Sequence, residues 1–292
     1  RKRQSVRECP FENPLKTHDP ILVYEGKRGW EVVVANNKYP AVFERRRCGS
    51  MLREGPYMRV EGIAYHNLVI TRHHDKNFAA LSEDGANQVF QVFRDRYLTL
   101  ASDPCLAYIS IFHNWGPSAG ASVYHPHYQI IAIPVIPPDV EHSLEGSAAY
   151  FSKHRACVHC CTIAYERKKR KRVVFENRDA FVVAPYVSRE PFEVRVFPKR
   201  HASFFEHASD RELTSIAAAL QHVLQRMERR LHDPDYNFFI HTAPVKKKEQ
   251  YQHYHWHIEV VPKLNISAGF ELGPGIEINV VDPDDAAKFL RK

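Results

Sequence analysis

The chain has 292 residues, of which 44% are hydrophobic, and its formal net charge at pH 7 is +7. This apolar content is enough for a sizeable buried core, and no run reaches the roughly eighteen apolar residues that a membrane span needs. A membrane role is therefore excluded, and the basic balance favours anionic partners.

The first half predicts a strand, a capped amphipathic helix, a second strand and a histidine-rich strand. The helix begins after the N-cap Ser82, and its apolar residues follow the three-and-four spacing of a helix laid on a sheet. In chain order the elements are Ile63 to Thr71, the helix with Val89, Val92, Phe93 and Tyr97, Tyr108 to His113, and His125 to Ile133.

The second half repeats this order. Ser209 and Glu212 form a capping box before another amphipathic helix, and the strands are Phe192 to Phe197, Asn237 to His241 and the stretch around His255. The sequence therefore predicts an α+β protein of two tandem units, residues 1–140 and 141–292, each an antiparallel sheet with a long helix packed on it. The proline-rich, acidic stretch from Pro134 to Ser147 is predicted to link the units.

The first histidine strand carries the most specific pattern. Strand periodicity places His125, His127 and Gln129 on one face. One imidazole there suits metal binding and the next suits attack on phosphorus, because neutral imidazole is a competent nucleophile near pH 7. The alternative is a pair of surface histidines on an edge strand, which Pro126 would tolerate.

Cysteines and histidines form two candidate metal sites. Cys157 and Cys160 with His201 and His255 make a Cys2His2 set that suits tetrahedral zinc. The matching residues of the first half are Cys9, Glu12, His74 and His125. Zinc accepts a carboxylate oxygen, so a second site is expected, although Cys9 as an ordinary thiol is the alternative.

The six cysteines also bear on location. No apolar signal segment follows Arg1, and the cysteine pattern is typical of an intracellular protein. We therefore expect a cytoplasmic protein without disulfides.

The stretch from Phe112 to Gln129, with His125-Pro126-His127 near its end, resembles the galactose-1-phosphate uridylyltransferase and ADP-glucose phosphorylase family of the histidine triad (HIT-like) superfamily. The resemblance implies that His127 is the nucleophile and that Gln129 assists the transferred phosphate. It implies a zinc site at the positions of Cys9, Glu12, His74 and His125, where Glu12 departs from the family's second cysteine and iron is the alternative metal. Residues that match nucleotide contacts of the family are Asn37, Asn114, Gly120 and Ser122.

The same resemblance implies ping-pong transfer of a nucleoside monophosphate from a nucleotide sugar to a sugar 1-phosphate. The stretch from Ala268 to Asn279 looks more like the phosphorylase branch, where inorganic phosphate is the acceptor. A homodimer is expected by resemblance alone. A nucleotide hydrolase of the superfamily is disfavoured, because such enzymes carry a third histidine where this chain has Gln129.

The second unit is predicted to be structural. Its histidine strand carries His253, His255 and His257, but Glu259 stands where the first strand has glutamine. A carboxylate there would repel phosphate.

A run of six basic residues, 167–172, lies between two strand-like segments, Ile163 to Tyr165 and Val173 to Phe175. It predicts a solvated hairpin loop. The alternative is a nucleic-acid patch on a non-catalytic, zinc-stabilised protein, so nucleic acid is a disfavoured partner.

Overall fold

The computed structural model describes residues 5–27, 29–45, 47–266 and 268–292. The helices are α1 (Pro14–Thr17), α2 (Glu83–Ala101), α3 (Pro138–His154), α4 (Val158–Lys169), α5 (Asp210–Arg230), α6 (Gly269–Leu272) and α7 (Pro283–Arg291). The strands are β1 (Pro20–Gly26), β2 (Gly29–Asn36), β3 (Met51–Glu54), β4 (Tyr57–Val60), β5 (Tyr65–Thr71), β6 (Tyr108–Trp115), β7 (His127–Ile133), β8 (Val173–Glu176), β9 (Ala180–Val183), β10 (Val194–Pro198), β11 (Tyr236–His241) and β12 (His257–Pro262).

Ten strands form one antiparallel sheet in the order β1-β2-β5-β7-β6-β11-β12-β10-β9-β8. The first five belong to the first half of the chain and the last five to the second half. The halves join where β6 pairs with β11, from Trp115 opposite Tyr236 to Ile111 opposite Ile240. The predicted α+β class is confirmed, but sequence reasoning did not anticipate that the two sheets are continuous.

The two long helices begin at the predicted caps. The Ser82 hydroxyl accepts the backbone N–H of Gly85, and the Ser209 hydroxyl accepts that of Glu212, whose carboxylate returns to the Ser209 backbone. A capping box therefore holds the start of α5, whereas α2 has only the serine.

Both long helices cover the same face of the sheet. Their apolar residues share one core cluster with alternate residues of the central strands, including Tyr128 of β7 and Phe238 of β11. The Phe93 ring of α2 meets the Tyr128 ring edge to face at 5.3 Å. Helix packing on one face leaves the opposite face of the central strands for the histidines.

Two segments have a secondary structure that the sequence analysis did not predict. The Pro134–Ser147 linker is largely helical, because Pro138 occupies the first turn of α3, where its missing N–H costs nothing. The strand expected at Ile163 to Tyr165 is part of α4, where Ile163 and Glu166 are buried one turn apart. The basic run therefore ends a helix, where cations interact favourably with the helix dipole.

The expectation of no disulfides is also wrong. Cys48 and Cys105 form a disulfide with a Cα–Cα distance of 5.1 Å and a sequence separation of 57 residues. The pairing joins the loop before β3 to the loop between α2 and β6, a proximity that only the tertiary fold creates. The other four cysteines are free thiols.

Among the described residues, no helix combines the length and the apolar character that crossing a bilayer requires. The N-terminal start used for the signal-peptide expectation lies in residues 1–4, outside the described residues.

Candidate active site and metal centres

The nucleophile candidate lies at the start of β7, in the centre of the first half of the sheet. His127 is opposite Ile70 of β5, and Gln129 is opposite Leu68 of β5 and Phe112 of β6. The two side chains are two residues apart on one strand, so they share the face that the long helices leave free. His127 is 6% exposed and Gln129 is half-buried.

Hydrogen bonding fixes which nitrogen of His127 is reactive. Its Nδ1 lies 2.9 Å from the carbonyl oxygen of His125, which only accepts, so Nδ1 carries the proton. In the neutral ring, Nε2 then carries the lone pair. Burial lowers the pKa of His127 to about 4, and the Phe11 ring packs 4.9 Å from the imidazole. At neutral pH this imidazole is therefore uncharged, with its lone pair on Nε2.

A histidine that sequence reasoning missed connects two of the predicted site residues. His66, on β5, is 8% exposed. Its Nε2 lies 2.8 Å from Gln129 Oε1 and 3.1 Å from Asn37 Nδ2. The structure thus brings Asn37 and Gln129 together around one ring. The signal in the sequence was a pair of polar residues, His66 and Asn67, directly before the apolar run Leu68 to Ile70 of the same strand.

The loop between β6 and β7 turns tightly at two glycines. Gly116 and Gly120 both have positive φ, 87° and 85°, which favours glycine. A Cβ on Gly116 would lie 1.9 Å from Asp235 Oδ1, so only glycine fits. The same aspartate accepts the Ser118 backbone N–H at 2.7 Å.

The second half of the chain also holds Asn114 in place. Asn237 of β11 donates from Nδ2 to Asn114 Oδ1 and to the Ala119 carbonyl, both at 2.8 Å. Gly120 lies against Asn114, with 3.7 Å from its ideal Cβ position to Asn114 Nδ2. Ser122 is exposed on the same loop. Asp235 and Asn237, which the sequence analysis missed, therefore fix the loop from the other half.

The first predicted metal set does assemble. Ligand atoms of Cys9, Glu12, His74 and His125 all lie within 4.8 Å of one another. His125 Nδ1 is 3.6 Å from Cys9 Sγ and 3.3 Å from Glu12 Oε1. Tetrahedral zinc places sulfur and nitrogen ligands about 3.6 Å apart and oxygen and nitrogen about 3.3 Å apart, so the donors fit.

The second predicted set assembles too. Cys157, Cys160, His201 and His255 also bring their ligand atoms within 4.8 Å. Cys160 Sγ lies 3.4 Å from Nδ1 of both histidines. The Nε2 atoms of His201 and His255 donate to the carbonyls of Gln252 and Pro198 at 2.8 and 3.0 Å. These bonds turn each Nδ1 lone pair toward the centre, as hydrogen bonds to the far nitrogen of a metal-binding histidine do.

Thiol chemistry distinguishes the two sets. A hydrogen bond from Cys160 holds the pKa of Cys157 well below its usual range, which favours the thiolate that zinc binds. Burial raises the pKa of Cys9, which has a glutamate instead of a second thiol three residues on. The second set thus offers two cysteine sulfurs where the first offers one.

The second histidine strand repeats the ring geometry of the first. His257 Nδ1 lies 3.1 Å from the His255 carbonyl oxygen, as in the first half. Two residues on, Glu259 is 3% exposed and pairs with Arg189, Arg195 and His241. The position that Gln129 holds in the first half is filled here by an internal ion network.

Two family models match nearly the whole chain. Residues 30–137 match the N-terminal domain of galactose-1-phosphate uridyl transferase, and residues 143–276 match its C-terminal domain.

Individual relatives agree with these matches. ADP-glucose phosphorylase from Arabidopsis thaliana is 34% identical over 98% of this chain and 79% of the relative. Galactose-1-phosphate uridylyltransferase from Thermotoga maritima is 28% identical over 96% of this chain and 90% of the relative. Among solved structures, an Arabidopsis thaliana ADP-glucose phosphorylase with bound ADP-glucose superposes with a TM-score of 0.85 at 31% identity, covering 100% of this chain and 92% of that chain. A uridylyltransferase structure gives 0.84 at 30% identity, covering 99% and 91%.

Proposed function

The chain belongs to the galactose-1-phosphate uridylyltransferase family, and we propose that it transfers a nucleoside monophosphate from a nucleotide sugar through a covalent nucleotidyl-histidine. The observation that carries this proposal is the His127 ring. Its proton is committed to the His125 carbonyl, so the Nε2 lone pair is available beside Gln129 on the free face of the sheet.

In the first step, the Nε2 lone pair of His127 attacks the α-phosphorus of the nucleotide sugar. A nitrogen–phosphorus bond forms, the bond from phosphorus to the bridging oxygen breaks, and sugar 1-phosphate leaves with that electron pair. Nδ1 keeps its proton and its hydrogen bond to the His125 carbonyl, which stabilises the positive charge that develops on the ring.

In the second step, a phosphate oxygen of the acceptor attacks the same phosphorus, and the nitrogen–phosphorus bond breaks. The acceptor is already an anion, so the step needs no strong general base. It needs positioning and stabilisation of charge on the phosphoryl oxygens. We assign the stabilising donor to the Gln129 amide, and contacts to the nucleotide to Asn37, Asn114, Gly120 and Ser122.

The two metal centres are part of the proposal, with zinc as the expected ion at both sets and iron as an alternative at the first. Cys9, Glu12, His74 and His125 would hold one ion, and Cys157, Cys160, His201 and His255 the other. When bound, the first metal would supply a rigid anchor for His125. Because the His125 carbonyl orients His127, the role of this metal would be structural.

A second candidate within this chemistry is adenylyl transfer to inorganic phosphate. The favouring observation is that the Arabidopsis ADP-glucose phosphorylase is more similar to the chain than the Thermotoga uridylyltransferase is, at 34% against 28% identity. We also propose that unit 1–140 is catalytic and unit 141–292 structural. A homodimer and a cytoplasmic location stay predictions.

The test is intact-protein mass spectrometry after brief incubation with UDP-glucose or, separately, ADP-glucose. We expect a nucleotidyl adduct that is absent in His127→Ala and present in the matched variant His257→Ala. The base of the adduct separates the two candidates, and added phosphate or sugar 1-phosphate should discharge it. If no nucleotide sugar of a full panel forms an adduct, the proposal is overturned and a binding protein is favoured.

A further inference from the structure

His66 is a buried polar residue on the face of the sheet that the long helices leave free. It lies on β5, opposite Ile131 of β7, so it is the diagonal neighbour of Gln129. The ring is 8% exposed, and each of its nitrogens has a polar neighbour. A buried imidazole with both nitrogens engaged is fixed in orientation.

The backbone determines the tautomer of this ring. The Ala41 N–H lies 3.0 Å from His66 Nδ1, and a backbone N–H only donates. Nδ1 is therefore the acceptor and carries no proton, which also excludes the imidazolium. The single proton of the neutral ring is on Nε2. Burial lowers the pKa of His66, in agreement with a neutral ring.

The tautomer in turn determines how the Gln129 amide is oriented. Nε2–H donates across 2.8 Å, so the Gln129 atom that faces it is the carbonyl oxygen. The Gln129 amide nitrogen, with both hydrogens, must then point away from His66. Without this bond, the two ends of the amide are nearly equivalent in shape, and either could face the substrate.

We propose that His66 is a positioning residue that fixes the Gln129 amide with its NH₂ group toward the transferred phosphoryl group. The role rests on the proposed function of His127 and Gln129. A reversed amide would present its carbonyl oxygen to phosphate and repel it, so one bond selects the productive orientation. Asn37 is held separately, because its Oδ1 accepts the Tyr39 backbone N–H at 3.0 Å.

The first experiment is a double-mutant cycle on the single-turnover rate of adduct formation. His66→Ala should slow adduct formation about 10- to 100-fold, less than full loss of a preorganised donor does, with nucleotide-sugar affinity changed less than about threefold. In a Gln129→Ala background, His66→Ala should add less than about twofold, because the two residues act as a unit. His66→Gln, whose amide N–H reaches the position of Nε2, should keep most of the rate.

Tyr65→Phe is the matched control. Tyr65 precedes His66 on β5, points to the other face and donates to Asp103 at 2.9 Å. Removing the Tyr65 hydroxyl perturbs the same strand without touching Gln129, so the rate of adduct formation should be unchanged. If His66→Ala does not fold, His66→Asn provides the test, since its shorter amide cannot reach Gln129.

The second experiment is independent of turnover. Side-chain ¹⁵N NMR should show His66 protonated on Nε2 at neutral pH, with that resonance shifted in Gln129→Ala. A proton on Nδ1, or independent effects of the two substitutions in the cycle, would overturn the inference. Absence of any adduct in the wild-type protein would instead count against the proposed function, and the NMR result would still decide whether His66 fixes Gln129.

Discussion

The two histidine strands share one ring geometry and differ in the residue that follows it. In β7 the Nδ1 of His127 bonds the His125 carbonyl at 2.9 Å, and in β12 the Nδ1 of His257 bonds the His255 carbonyl at 3.1 Å. A buried, neutral, correctly oriented imidazole is thus present in both halves. The ring alone does not distinguish a reactive strand from a structural one.

The neighbouring side chain makes the difference. In the first half, a neutral amide is held by one neutral histidine and stays half-buried. In the second half, the Glu259 carboxylate is 3% exposed and its oxygens are taken by Arg189, Arg195 and His241. The first arrangement leaves amide hydrogens for a ligand, whereas the second is internally satisfied and anionic. This comparison predicts that catalysis resides in the first half.

The largest expected effect comes from removing each ring in turn. His127→Ala should lower nucleotidyl transfer about 10⁴-fold or more, because it removes the attacking atom. His257→Ala should leave the rate per folded molecule within about threefold. Steady-state transfer assays and adduct mass spectrometry on both variants check this, and a comparable loss in the two would remove the asymmetry between the halves.

A second test exchanges the distinguishing residue. Gln129→Glu places the carboxylate of the second half next to His127, where it removes a donor and repels phosphate. We expect a 10²- to 10³-fold loss of the adduct-forming rate, in the range measured for loss of a preorganised donor. Near-normal single-turnover rates in this variant would mean that Gln129 has no role in stabilising the phosphoryl group.

The reciprocal change, Glu259→Gln, is the control for that exchange. It should create no activity in the second half. It should instead lower the free energy of unfolding by about 2 kcal/mol, because Arg189 and Arg195 lose a buried partner. The estimate is modest because the Arg189 side chain is 47% exposed. Urea unfolding of this variant against wild type measures the difference.

Much of this asymmetry was visible in the sequence, and the rest required the fold. Residue spacing predicted the histidine strands, both metal sets and the capped helices, because strand period, ligand types and caps are local signals. It did not predict His66, Asp235 or Asn237, since each acts on a residue more than 60 positions away. Cys48 and Cys105 were missed because only the tertiary fold brings these residues, 57 positions apart, together.

A third test concerns the two metal sets. The second has two cysteines, whereas the first has Cys9 and the harder oxygen donor of Glu12. Thiolate-rich sites hold zinc more tightly, so a chelator should remove metal from the first set about 10- to 100-fold faster. Glu12→Cys should narrow that difference. Elemental analysis during chelation measures metal release from wild type and from Glu12→Cys, with Cys161→Ser as the control. Equal release rates from the two sets in wild type would contradict the prediction.

The smallest expected effect distinguishes the two long helices. Ser209→Ala should cost about 1–2 kcal/mol of stability and Ser82→Ala about 0.5–1 kcal/mol, because only α5 has a capping box. Urea unfolding at pH 7 measures both variants. Equal losses would show that the glutamate adds nothing to the cap.

The glutamate of that box also predicts a pH dependence that α2 lacks. The Arg200 guanidinium donates to Glu212 at 2.6 and 2.9 Å and lowers the pKa of that carboxyl to about 2. The unfolded value is about 4.3, so the stabilisation is complete above that pH and is lost as pH falls toward 2. The stability difference between wild type and Glu212→Gln should therefore shrink across this window. Ser82→Ala should show no such trend, since α2 has Gly85 at the corresponding position.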